Sequence, residues 1–314
     1  MERLIVDTDP GIDDAHAIML ASAHPDAQIE ALTTVAGNVD LEKATANALR
    51  ILDLIEADIP VYRGAADGLV VRTPHRAISH GVDGLGDFGY PFSQRQVEPE
   101  FAPLALVRLA NSAPGELTLV ALGPVTNLAL AVRIDPDLPR KFKRTIVMGG
   151  SYLAMGNSWI PAVEFNFYVD PEAAYVVLDA WPEVTIVPWE TSIRHTLNPE
   201  QVEHLASFPS RRAEFYRQTT ANRFVPQISG PPALHESDGL AMLVAVEPQS
   251  IIREEFRPAS IELEGAATRG QLIVDWYQLY EKPPNAHIVT EVNQGRFLSA
   301  LERACGHTPP LSGA

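Results

Sequence analysis

Asp7, Asp9, Asp13 and Asp14 crowd into one short run near the start of the chain, Asp7-Thr8-Asp9-Pro10-Gly11-Ile12-Asp13-Asp14-Ala15. Carboxylates this close repel one another and raise one another's pKa, so the cluster requires compensation. A helix start would accommodate Asp13 and Asp14 as capping groups, because helix N-termini favour carboxylates. That leaves Asp7 and Asp9 unexplained. A divalent cation with hard oxygen ligands would neutralise the remainder, and calcium or magnesium suits the run better than zinc because no Cys or His interrupts it.

The elements that would carry these groups follow from hydrophobic patterning. Residues 4–6 form a short apolar strand that ends in the aspartate run, and a helical pattern starts near Asp13 and continues through Ile18 and Leu20. A second strand over residues 29–35 ends at Ala36-Gly37-Asn38, and residues 41–57 read as an amphipathic helix. Further strands are expected at residues 117–122, 145–148 and 184–187, with helices starting from 124 and from 170. Each strand is a nearly continuous apolar run, which means burial on both faces; strands alternating with helices give a mostly parallel sheet covered by helices. The expected fold class is therefore α/β, with residues 1–314 forming a single domain around an open, Rossmann-like central sheet. In such sheets ligands bind beyond the carboxyl ends of the strands, where the aspartate run falls. Residues 67–96, rich in Gly, Pro and His, read as a long loop overhanging that site, and residues 223–235, with Pro226, Gly230, Pro231 and Pro232, as a second.

The balance of 40 acidic against 24 basic residues, a formal charge of -16, opposes binding to nucleic acid and favours a neutral substrate. The single cysteine, Cys305, rules out an internal disulfide and reads as filler in a C-terminal helix rather than as a nucleophile. With no apolar run of the roughly 20 residues that span a bilayer, and no basic segment with a cleavage site at the N-terminus, the expectation is a cytoplasmic protein with no membrane partner.

The aspartate run resembles the N-terminal signature of the inosine-uridine-preferring nucleoside hydrolase family. The likeness continues through Ala36-Gly37-Asn38, His80-Gly81-Val82-Asp83-Gly84-Leu85-Gly86, Gly123-Pro124-Val125-Thr126-Asn127, Met148-Gly149-Gly150, Glu164-Phe165-Asn166 before Asp170-Pro171-Glu172-Ala173, and Asp238-Gly239-Leu240-Ala241. The resemblance implies hydrolysis of the N-glycosidic bond of purine or pyrimidine ribonucleosides by a calcium-activated water, through an oxocarbenium-like transition state. It implies calcium ligation by Asp9, Asp14, Asp238 and the carbonyl of Thr126, with Asp9 as the base that deprotonates the water. It implies ribose contacts from Asp13, Asn38, Asn157, Glu164 and Asn166, and a homodimer or homotetramer.

Other readings of single residues stand beside these. Asp238 could cap a helix, Thr126 and Asn157 could be turn residues, Met148 could line the pocket or simply pack in the core, and His80, in the long loop, could contact the base or be a surface histidine. Glu164 and Asn166 flank Phe165 in an apolar stretch, where unpartnered polar groups would be costly, which favours function for both. The stretch around Asn157 is one residue longer than the family pattern. Ser237 stands where many members carry a histidine, the usual acid for the departing base; His235 and His80 are the nearby substitutes, unless stabilisation of the ribosyl cation suffices. That departure motivates one alternative, a calcium-dependent ribonucleoside-binding protein without turnover. A second is a haloacid-dehalogenase-like phosphohydrolase, in which Asp7 of Asp7-Thr8-Asp9 would be the nucleophile.

Overall fold

Leu4, Ile5 and Val6 are all fully buried, and successive strand residues face opposite ways, so the sheet that holds them must be covered on both sides. The computed structural model, which describes residues 1–72, 78–221, 223–225, 227 and 231–306, has that arrangement. The first half of the chain alternates β1 (Glu2–Thr8), α1 (Ile12–Ala23), β2 (Ala27–Thr34), α2 (Leu41–Ile55), β3 (Val61–Arg63), α3 (Ala102–Ser112), β4 (Leu117–Ala121), α4 (Thr126–Ile134) and β5 (Arg144–Met148). Two helices, α5 (Phe165–Val169) and α6 (Pro171–Ala180), lead to β6 (Val184–Val187). Then come α7 (Trp189–Arg194), α8 (Pro199–Ala206), α9 (Arg211–Thr220) and α10 (Ser237–Val246). The chain continues with β7 (Ile251–Arg257), β8 (Ala259–Ile261), β9 (Leu272–Val274), β10 (Ala286–Val292) and α11 (Gln294–Gly306).

Eight strands form one sheet in the order β3-β2-β1-β4-β5-β6-β10-β7, parallel throughout except where β7 runs antiparallel to β10; β8 and β9 make a separate antiparallel pair. Leu4 and Val6 pack into the core shared with α1, α2, α10 and α11, and Ile5 into the core shared with α3, α4 and α6. This is a single α/β domain with a mostly parallel central sheet flanked by helices. Strand order reverses between β1 and β4, so the loop after β1 opens at the switch point where such folds bind ligands.

The differences from the sequence reading have local causes. The second helix stops at Ile55 rather than at 57, because Glu56 adopts a left-handed conformation, φ 57°, and its N–H bonds to the Leu52 carbonyl. The helix expected from 124 begins at Thr126. Strands β3, β8 and β9 have three residues each, too few to show a period. Among the described residues of 67–96 the regular structure is one short 3-10 turn, Ile78–His80. In the second loop Pro226 and Gly230 lie outside the described residues, while Val225 bridges to Ala233. Cys305 is fully buried in α11. No described helix is long and apolar enough to cross a membrane.

Candidate active site

Asp9 leaves β1 between the ends of the two strands that flank it. A Cβ on Gly37, beyond β2, would collide with Asp9 Oδ2, and one on Gly123, beyond β4, would stand 2.6 Å from Asp9 Oδ1. Glycine at both positions lets the strand ends close around the carboxylate. Asp9 Oδ2 accepts from the Asn38 backbone N–H at 2.5 Å, and its buried Oδ1 has no hydrogen-bond partner. Asp14 accepts from the Thr8 hydroxyl at 2.5 Å, from the Gly11 N–H at 2.8 Å and from Asn38 Nδ2 at 3.1 Å. Asp14 therefore does cap α1, as one reading of the run proposed, and also faces the other acids.

Asp7 is turned elsewhere. It is fully buried, accepts from the Thr33 hydroxyl at 2.6 Å and from Asn127 Nδ2 at 2.8 Å, and burial pushes its carboxyl up to about 7 against those two bonds. It does not line the cavity. The phosphohydrolase alternative needs Asp7 as an accessible nucleophile, and this placement removes it.

The fourth acid arrives from 224 residues downstream of Asp14, on α10, which packs against α1. Asp238 is the second residue of α10; Glu236 occupies the cap position, so Asp238 is not the N-cap. Asp13, Asp14 and Asp238 each offer an oxygen within 4.8 Å of the others. Burial, then repulsion from Asp14 and Asp13, holds the Asp9 and Asp238 carboxyls well above the ordinary carboxylate range, and burial with Asp13 raises Asp14. Burial is the largest influence on Asp13 too, but the Arg223 guanidinium, 3.5 Å away, together with His80, a backbone N–H and His16 leaves Asp13 below its usual value. The buried carboxylates of Asp13, Asp14 and Asp238 fit a hard divalent cation; Asp9 stands outside that group of three, with its own buried Oδ1 unpartnered and its charge felt at Asp238.

A buried brace ties the two acidic helices together. His16, one turn beyond Asp13 on α1, has Nδ1 3.0 Å from Glu236 Oε1 and Nε2 3.0 Å from the Thr219 hydroxyl, and all three side chains are buried. Thr126 is buried at the start of α4, with its hydroxyl donating to Asp170 at 2.6 Å.

A cavity of about 600 Å³ opens over the acids, a size within the range of small-molecule sites. Asp13, Asn38 and Asp238 line it, as do His80, Met148, Asn157, Glu164, Asn166 and His235; Asp9, Asp14 and Thr126 do not reach its open surface. Glu164 and Asn166 are not unpartnered, contrary to the expectation from sequence. Glu164 caps α5, accepting backbone N–H groups from Gly150 at 2.9 Å, Asn166 at 2.8 Å and Phe167 at 3.2 Å, and Asn166 Nδ2 donates to the Leu122 carbonyl at 2.6 Å. Met148, at the end of β5, is buried with its sulfur 3.4 Å from Asn166 Nδ2. Asn157 sits exposed at the rim, its Oδ1 accepting from the Phe165 N–H at 2.8 Å.

The cavity is also lined by an aromatic pair and by a cation, Arg223. His235 stacks on Trp189 with ring centroids 4.8 Å apart. His80 is buried rather than exposed, and its Nδ1 accepts the Ile12 N–H at 3.0 Å. Burial, reinforced by Arg223, pushes His80 down to about 3 and His235 down to about 4. Both rings are thus neutral near pH 7. Sequence reading missed His16, Trp189, Arg223 and Glu236. The i, i+3 spacing of Asp13 and His16 could have marked His16; Arg223 and Trp189 stand in segments without a period.

A family model described as inosine-uridine preferring nucleoside hydrolase matches residues 4–299. A pyrimidine-specific ribonucleoside hydrolase from Salmonella enteritidis is 32% identical, over 95% of this chain and 96% of that protein. Uridine nucleosidase 1 from Arabidopsis thaliana is 38% identical over 68% of this chain and 64% of its own length. Among solved structures, an inosine-guanosine nucleoside hydrolase superposes with a TM-score of 0.91 at 34% identity, covering 98% of this chain and all of that one.

Proposed function

Because this chain belongs to the inosine-uridine preferring nucleoside hydrolase family, we propose that its cavity cleaves the N-glycosidic bond of purine or pyrimidine ribonucleosides with the help of calcium. The chain is a hydrolase acting on ribonucleosides; the metal and the residue roles are this proposal. The observation that carries it is the buried group of facing carboxylates at the sheet's switch point, with the Asp9 oxygen left without a partner.

Asp9, Asp14, Asp238 and the Thr126 carbonyl would hold the cation. When bound, it supplies positive charge that lowers the pKa of a neighbouring water and relieves the repulsion among the acids. Asp9 takes the proton from the attacking water. Asp13, Asn38, Asn157, Glu164 and Asn166 hold the ribose hydroxyls, and the acidic wall opposes the positive charge that grows on the sugar as the bond to the base stretches. His80, Met148 and His235 border the base and sugar. Release of free base from inosine, adenosine, guanosine, uridine and cytidine with calcium present, followed by chromatography, tests the proposal. Tight nucleoside binding without any free base would support the binding-protein alternative instead. The family resemblance also supports a homodimer or homotetramer, checked by light scattering, and the lone buried cysteine accords with a cytoplasmic role in nucleoside salvage.

Glu164 gives a pH signature. Burial raises its carboxyl to about 7, against three N–H donors that favour the charged form. The ionised form is the better acceptor for a sugar hydroxyl, so kcat/KM should fall as pH drops through about 7. Glu164→Gln should lose that acidic limb and about 10- to 100-fold in kcat/KM, the equivalent of a hydrogen bond to a charged group. Stability runs the other way. A folded-state pKa above the unfolded value contributes stability at low pH that is lost as pH rises through about 7, so the variant's melting temperature should depend less on pH over that interval. An acidic limb that persists in Glu164→Gln would assign it to another group.

A further inference from the structure

The leaving base carries away the bonding electron pair, and the site must stabilise the resulting negative charge. Ser237 is a poor acid, and the two nearby histidines are held neutral; a general acid works best with a pKa near the operating pH. His80 also spends Nδ1 on the Ile12 N–H. Among the described residues that line the cavity, Arg223 is the one Lys or Arg.

Arg223 is well placed for that charge. It follows α9, with its backbone N–H bonded to the Thr220 carbonyl at 3.1 Å, and opens the second loop beside the cavity. Its side chain is 12% exposed. Nη1 stands 3.5 Å from Asp13 Oδ1, too far for a hydrogen bond, and is buried without a hydrogen-bond partner. A buried guanidinium with an unused donor is costly unless something else fills it. A planar carbonyl-bearing heterocycle would do so, and the stacked Trp189 and His235 rings line the same cavity, with His235 within the electrostatic reach of Arg223.

Resting on the hydrolase reading, we propose that Arg223 is a catalytic residue for base departure, donating its unpartnered N–H to an oxygen or nitrogen of the base on which negative charge develops. The guanidinium does not give up its proton. The C1′–N bond breaks with both electrons passing to the base, a bond forms between the water oxygen and C1′, and the water's proton passes to Asp9. The base anion, steadied by Arg223, takes a proton from solvent, and Asp9 returns one to solvent. The products are ribose and neutral base.

Two substrates separate this role from a sugar-side one. p-Nitrophenyl riboside shares the ribose but has a leaving group stable as an anion, whereas uridine and inosine depend on help to the base. Arg223→Gln should lower kcat for uridine and inosine by about 10²- to 10³-fold, as loss of one preorganised oxyanion donor does, and should cost p-nitrophenyl riboside far less. Arg223→Lys, which keeps the charge without the fork, should recover part of the loss. Across nucleosides with bases of differing acidity, kcat should depend more steeply on that acidity in Arg223→Gln than in the wild type, a measure that holds even where the variant is partly destabilised. Equal losses on both substrate types, or a rise in KM at unchanged kcat, would mean that Arg223 acts on the sugar through Asp13 and would overturn the proposal. A wild type inert toward nucleosides and nitrophenyl riboside alike would overturn the hydrolase reading itself, and this role with it.

Discussion

Asp9→Asn is expected to abolish hydrolysis to within assay limits, a loss of at least about 10⁴-fold, because it removes the proposed base, worth typically 10² to 10⁴, along with one cation ligand. The same substitution should make the metal-free protein more stable. The Asp9 carboxyl is buried between Gly37 and Gly123, and burial with repulsion from Asp14 and Asp13 holds its pKa well above the ordinary value. A raised folded-state pKa withdraws stability as pH climbs above the usual carboxylate range, so at neutral pH the wild type without metal bears a penalty that an uncharged isostere escapes. Adding calcium should reverse the ranking. A ligand at about 100 times its Kd stabilises the native state by about 2.7 kcal/mol, and the variant should show little of that shift. Thermal melts of both proteins with chelator and with calcium, beside chromatography of free base, read out the two effects. Chelated wild type that cleaves inosine and uridine at the untreated rate would rule out the metal.

The second large effect concerns the sugar. A 2′-deoxyribonucleoside should be a poorer substrate than its ribo counterpart by about 10⁴ to 10⁵ in kcat/KM, the discrimination reached by sites built to hydrogen-bond a hydroxyl. The reason lies in how this site is composed. Asp13 and Asn38 line the cavity at the acid cluster, where a lost hydroxyl would leave the buried Asp13 Oδ1 with no hydrogen bond. Competition between uridine and 2′-deoxyuridine in one vessel measures the ratio directly. Cleavage of both at similar rates would place the sugar in a different orientation from the one proposed.

The sheet and the acid cluster were legible because their signals are local and repeated. β1, its loop and α1 are written as an apolar run, turn residues and a new period within residues 2–23, and the strands beside them repeat the grammar. The second half was less readable: α7, α8 and α9 are short, and β10 enters the sheet between β6 and β7, next to a strand about a hundred residues before it in the chain. The alternative reading of Asp238 as a cap fails because Glu236 takes that position, with its carboxylate on His16. Glu164 and Asn166 were assigned partly on the assumption that they lacked partners. Their partners are backbone groups of Gly150, Phe167 and Leu122, which no side-chain pattern reveals. Arg223 was invisible because it lies in a loop, where neighbours in sequence say little about neighbours in space.

The placement of β10 also sets an order of events during synthesis. Residues 1–148 carry β1, β2, β3, β4 and β5, which are neighbours in the sheet, while one face of those strands is covered by α10 and α11 from the end of the chain. The α10 counterpart of the α1 acids comes much later, and β7 has no place in the sheet until β10 slides between it and β6, after which α11 closes over α1. Asp7, Asp9 and Asp14 take their hydrogen bonds from Thr8, Gly11, Thr33, Asn38 and Asn127 within that first part of the chain, so what the late docking of α10 adds is the repulsion between Asp238 and the acids already in place. A cation bound as proposed would offset that repulsion and favour the closing step, so metal supply should govern the yield of refolded protein and not only the rate of the finished enzyme.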